Sequence, residues 1–141
     1  MLSITKIFNF EMAHAINGYE GACRHIHGHS YQLYVSVSFA KDGPEFISSP
    51  GFIIDFKVLK QIVESAVVGV LDHKLVLSKD YLSNKPYVEL LENLIVWEFE
   101  PTVENILLYI KDAIRSELPV DLRLTALKLY ETKDSYSEWK Y

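Results

Sequence analysis

From Ser30 to Ala40 the chain alternates with a period of two. Tyr31, Leu33, Val35, Val37 and Phe39 fall on one side, and Ser30, Gln32, Ser36 and Ser38 on the other. Such a run is a half-buried strand, which commits the chain to an antiparallel sheet with one covered and one solvated face. His27 and His29 share the parity of the apolar positions, so both imidazoles leave the same face at the end of that strand. The stretch around them, Cys23-Arg24-His25-Ile26-His27-Gly28-His29, puts one thiol and three imidazoles in seven residues of a chain with one Cys and five His. Upstream, Ile4 to His14 reads as a second strand, with Phe8, Phe10, Met12 and His14 on one face. Paired with the first as an antiparallel hairpin, it brings His14 beside His27 and His29. Three neutral imidazoles with a free fourth position are the usual ligand set of a catalytic zinc ion. His25 has the same parity and is the first rival ligand. Cys23, four residues before His27, has three readings. It is a small buried hydrophobe, a thiolate acting as general base beside a metal, or a fourth ligand that closes the site.

The remaining chain supplies two helices and further strands. Phe52-Ile53-Ile54 reads as a short strand running into Asp55, a helix N-cap. Behind it Phe56, Leu59, Ile62, Val63, Ala66, Val67 and Val70 recur at three- and four-residue steps, an amphipathic helix to about Leu71. Asp72-His73 follows, either an ordinary helix end or an acid–base His oriented by a carboxylate. From Ser78 to Glu92 the expectation is a polar loop with a short helix after Pro86. Leu94 to Glu100 reads as a strand. Pro101-Thr102 opens a second helix with Val103, Ile106, Leu107, Ile110 and Ile114 on its buried side, and Pro119 closes it. Thr102 and Glu104 suit a helix start whatever else they do. Leu122 to Thr132 is the last strand, its alternation broken where Ala126 and Leu127 adjoin. Glu131 sits at its end, and Asp134 to Tyr141 read as a tail. The expectation is one α+β domain over residues 1–141: two helices over one face of a mostly antiparallel sheet.

Several classes are disfavoured. The net charge is −5 and no block of Lys or Arg occurs, which argues against a nucleic-acid surface. No apolar run reaches the roughly 20 residues that span a bilayer. A single cysteine fits a reducing compartment, and with no leader-like start at Met1 to Phe10 a cytoplasmic location is expected.

Six blocks together carry a resemblance. They are Phe10-Glu11-Met12-Ala13-His14; Cys23 with His27-Gly28-His29; Gly51-x-x-x-Asp55-Phe56; Leu71-Asp72-His73; Pro101-Thr102-x-Glu104-Asn105; and Tyr130-Glu131-Thr132. In this order over residues 4 to 132 the chain resembles the 6-pyruvoyltetrahydropterin synthase family, with its bacterial branch of 6-carboxytetrahydropterin synthases. The resemblance implies the tunnelling fold, an antiparallel sheet with two helices on one face whose subunits join into a barrel, typically trimers stacked as a hexamer. It implies Zn2+ on His14, His27 and His29, and Cys23 as catalytic base with Asp72 and His73 from a neighbouring subunit. Glu131 would anchor the guanidine-like edge of a pterin, with Thr102 and Glu104 lining the same pocket. The implied substrate is 7,8-dihydroneopterin triphosphate, converted in the carboxy branch to 6-carboxytetrahydropterin, acetaldehyde and triphosphate for queuosine synthesis. The alternatives are a 6-pyruvoyl product, a pterin- and metal-binding protein without turnover, and a zinc hydrolase. The chain departs from the family pattern at Lys74-Leu75-Val76-Leu77-Ser78, which lacks the usual Asn, and in the length of Asp80 to Glu92.

Overall fold

The two histidine-bearing strands form the middle of the sheet. In the computed structural model, which describes residues 1–141, β1 (Ile4–His14) and β2 (His27–Phe39) pair antiparallel over their length, with Met12 opposite His29 and His14 opposite His27. β3 (Lys74–Ser78), β4 (Leu94–Trp97), β5 (Leu122–Thr132) and β6 (Ser135–Lys140) complete a six-stranded sheet in the order β4-β3-β1-β2-β5-β6. β2, β5 and β6 continue the antiparallel ladder, whereas β3 and β4 run parallel to β1.

Two helical runs cover one face. The first is α1 (Phe56–Val63), a π turn (Glu64–Val68) and the last turn α2 (Gly69–Leu71). The second is α4 (Val103–Glu117). Asp55 and Thr102 cap their starts, as expected: the Asp55 carboxylate accepts the Lys57 N–H and the Thr102 hydroxyl the Asn105 N–H. Leu59, Val63, Val67, Ile106, Ile110 and Ile114 meet Phe8, Phe10, Tyr31, Leu33, Leu127 and Leu129 in the main core. No helix is long and apolar enough to cross a membrane.

Four details depart from expectation. Phe52–Ile54 forms no strand; Ile53 and Ile54 reach the core from a bend. Lys74–Ser78, read only as a departure from a motif, is β3. Its run Leu75-Val76-Leu77 does not alternate because both faces are covered, as in parallel sheets. Val76 joins the main core while Leu75 and Leu77 pack with Tyr81, Leu82 and Ala15 in a second cluster, with Tyr81 and Leu82 supplied by the short helix α3 (Lys79–Leu82). Asp134 to Tyr141 is no tail, because Ser135–Lys140 pairs with β5 as an edge strand. The broken alternation in β5 is a bulge. Ser36 opposes Ala126 and Val37 opposes Leu124, so Thr125 is the extra residue, and its hydroxyl donates to the Ser36 carbonyl.

Candidate metal centre and the cleft beside it

The β1–β2 register does most of the construction. His14 faces His27 across the ladder, and His29 lies two residues on along the same face. The three rings form a nearly equilateral triangle, with centroids 4.6, 5.1 and 4.8 Å apart. β5 delivers a fourth group. Glu131 Oε1 lies 2.9 Å from His29 Nε2 and 3.2 Å from His14 Nε2. All four donor atoms fall within 4.8 Å of one another.

Main-chain carbonyls fix two of the rings. His14 Nδ1 is 2.6 Å from the Pro101 carbonyl and His27 Nδ1 is 2.7 Å from the His25 carbonyl. A carbonyl only accepts, so each Nδ1 carries the proton and each Nε2 turns a lone pair inward when the ring is neutral. Those two Nε2 atoms are 3.1 Å apart, where two lone pairs repel unless a cation lies between them. His29 Nε2 is buried and, despite its closeness to Glu131, not aligned for a hydrogen bond with anything. Burial holds this imidazole below its ordinary pKa, outweighing the raising effect of Glu131. The contact with His14, with the imidazole charges around it, holds the Glu131 carboxyl below its usual range against the opposing effect of burial. Inward lone pairs and a carboxylate require a positive charge among them, a shared proton or a metal ion. Nitrogen donors at bond lengths of roughly 2.0–2.1 Å to a tetrahedral ion stand a little over 3 Å apart, so the donor set fits a divalent metal.

The other expected site residues lie around this cluster. Cys23 is half-buried in a short 3-10 turn (Ala22–Arg24), its carbonyl accepting the Ile16 N–H, and is not among the converging donors. The fourth place next to the imidazoles belongs to Glu131. His25 is exposed, its ring accepting from Arg24, and it acts on the cluster through its carbonyl alone. Asp72 and His73 form a tight pair, with Nδ1 of His73 2.9 Å from Asp72 Oδ2. Asp72 Oδ1 accepts the Glu11 N–H at 2.8 Å, and that bond, with the help of His73, holds its carboxyl below the ordinary range. His73 is a non-glycine residue at φ 60°, in the left-handed region. It is held there by its N–H on the Glu11 carbonyl and by Asn93 donating to its own carbonyl. Its side chain is 79% exposed and borders a cleft of about 320 Å³ with Glu11, Gly28, His29 and Asn93. Thr102 is spent on its cap, and Glu104 is exposed in the first turn of α4.

Two features carried no signal in the sequence. The carbonyls of Pro101 and His25 orient the imidazoles, and main-chain groups leave no residue type to read. Tyr31, fully buried beneath the rings, has a hydroxyl without a partner. Burial first, then the nearby Glu131 and Cys23, push its ionisation far up, so it stays a neutral phenol.

The 6-pyruvoyl tetrahydropterin synthase family model matches residues 3–140. The 6-carboxy-5,6,7,8-tetrahydropterin synthase of Haemophilus influenzae is 30% identical over 99% of both chains. That of Rickettsia typhi is 30% identical over 98% of this chain and 99% of its own. The solved Caenorhabditis elegans 6-pyruvoyl tetrahydropterin synthase superposes with a TM-score of 0.70 at 20% identity, covering 99% of this chain and 95% of that one. This structural likeness speaks for the fold alone.

Proposed function

The chain belongs to the 6-pyruvoyl tetrahydropterin synthase family, and from that premise we propose that it is a zinc-dependent 6-carboxy-5,6,7,8-tetrahydropterin synthase. It would convert 7,8-dihydroneopterin triphosphate and water to 6-carboxytetrahydropterin, acetaldehyde and triphosphate, in the route to queuosine. The observation that carries this reading is the convergence of three imidazole nitrogens, two locked by backbone carbonyls, on one point beside a polar cleft. His14, His27 and His29 would hold the zinc ion, which when bound supplies a Lewis acid for the ligand's side-chain oxygens. The full-length likeness to relatives named as carboxy synthases favours that branch.

The chain's own residues have distinct tasks in this reading. Cys23, as thiolate, takes a proton from the side-chain carbon next to the ring. The Asp72–His73 pair returns protons: the carboxylate holds Nδ1–H, leaving Nε2 to act. Since the His73 side chain is largely exposed, the pair serves a site on a neighbouring copy within a homo-oligomer, a hexamer of stacked trimers. Two bare sheet edges, β4 and β6, support such an assembly. Glu131 accepts the paired N–H groups of the pterin edge, and Thr102 and Glu104 border the pocket from α4.

Zinc-loaded protein incubated with 7,8-dihydroneopterin triphosphate, followed by mass-resolved product analysis with Cys23→Ala alongside, tests the proposal. A 6-carboxy product with acetaldehyde, absent from the variant, is expected. A 6-pyruvoyl product would move the chain to the other branch. No turnover with metal bound would overturn the enzyme reading.

A further inference from the structure

Glu131 stands between two surroundings that call for different roles. Its Oε1 sits at 2.9 and 3.2 Å from two imidazole nitrogens, where it completes a four-donor set. Three nitrogens and a carboxylate around a tetrahedral ion leave no place for a ligand oxygen, and a set so closed is a structural site. Yet the same side chain borders a cleft of about 690 Å³ shared with Gln32, Tyr34, Tyr130 and Thr132. A site for storage has no use for so large and polar an opening.

The backbone at this point suits a residue that moves. Tyr130 pairs with Tyr136 and Thr132 with Ser135, so Glu131 is the extra residue of a second β-bulge in β5. A bulge leaves its residue unpaired and re-aims the side chain, and here it aims the carboxylate along the histidine face. The next residues form the turn into β6, closed by the Thr132 hydroxyl on Asp134. Glu131 is also only 20% exposed, so a swing of its three rotatable bonds trades one enclosed environment for another without full hydration.

We propose that Glu131 is a displaceable fourth donor, closing the three-imidazole centre at rest and swinging into the adjoining cleft when a pterin ring arrives there. The donor half stands on distances within this chain; the displacement half rests on the pterin reading given above. The exchange is balanced in kind. The carboxylate leaves a cation and accepts two parallel N–H bonds from the amino-pyrimidinone edge. The vacated position then lies open to the ligand's own oxygen. A ligand shifts such an equilibrium only through its different contacts with the two states, and the ring supplies that difference. The centre is therefore closed until its substrate class is present.

Cobalt(II) reports this directly, because its visible bands change with donor set and coordination number. Metal-free protein, Glu131→Gln and Glu131→Asp are titrated with cobalt against a competing chelator. 6-Methylpterin, which has no side-chain oxygen to offer the metal, is then added, with its fluorescence followed separately to measure binding. The Gln variant is expected to bind cobalt at least about tenfold more weakly and to show shifted bands from the outset. The Asp variant, one methylene short of the rings, should behave similarly while keeping the charge. Added pterin should move the wild-type bands toward those of the Gln variant and leave the variant's own bands in place. Equal cobalt affinity in all three proteins would overturn the donor assignment. Bands unmoved at pterin saturation would show a permanent ligand and overturn the displacement. A pterin that does not bind at all would sink the displacement together with the ligand reading, while the cobalt affinities still decide the donor half.

Discussion

His25 shows how little a residue's type can say about its part in a site. It shares the parity of His27 and His29 and reads as a rival ligand, yet its ring is exposed and only its carbonyl touches the cluster. Asp72 is the opposite case, a side chain whose partner can be named and whose effect can be signed. Its folded-state pKa lies below the ordinary 3.8, mainly through the Glu11 N–H. The native state therefore binds that proton less readily than the unfolded chain. The stabilisation is complete above the unfolded value and disappears as pH falls through the lower folded one. Asp72→Asn should accordingly lower the unfolding free energy at neutral pH, with the gap to the parent closing below about pH 4. Urea titrations of both proteins across that range check it, and a gap independent of pH would refute the assignment. The three imidazoles were legible because strand parity is local: His14, His27 and His29 needed only one hairpin. Glu131 as their neighbour was not, because its approach depends on the β2–β5 ladder and a bulge that no local pattern announces.

At the scale of elements, the amphipathic helices were readable and their irregularity was not. The run from Asp55 to Leu71 shows helical spacing throughout, but one turn of it is wider. Gly69 sits where that turn ends. A Cβ there would lie 2.9 Å from the Glu64 carbonyl oxygen. In an ordinary helix Gly→Ala gains about 1 kcal/mol. Here the methyl group meets the carbonyl the π turn needs, and Gly69→Ala is expected to destabilise by about 1–2 kcal/mol instead. Denaturant unfolding gives the sign. A stabilised variant would mean that the wide turn is not a requirement of the sequence. The consequence reaches function, because the turn from Gly69 to Leu71 delivers Asp72 and His73. β3 and β6 escaped the sequence reading for opposite reasons. β3 is covered on both faces and so loses its alternation, while β6 is an edge strand in which Ser137 and Trp139 are half-covered and the rest is exposed.

At the scale of the molecule, the Asp72–His73 pair and the imidazole cluster are both well formed, yet the His73 side chain is largely exposed. A site made by two copies makes a specific prediction for mixtures. Cys23→Ala and His73→Ala should each be inactive alone. Mixed, unfolded and refolded together, they should regain about a quarter of wild-type activity, because random association unites an intact Cys23 with an intact His73 in that fraction of sites. No recovery, with hetero-oligomers present by mass, would mean that both groups act within one chain.

The order of the donors along the chain has a last consequence, for how the protein is made. The imidazoles come from the first two strands and the carboxylate from β5, near the other end. A chain growing from its N-terminus exposes His14, His27 and His29 long before Glu131 exists. For much of synthesis the nascent chain therefore carries three imidazoles with no carboxylate beside them. Only completion of β5 brings the residue that shields them.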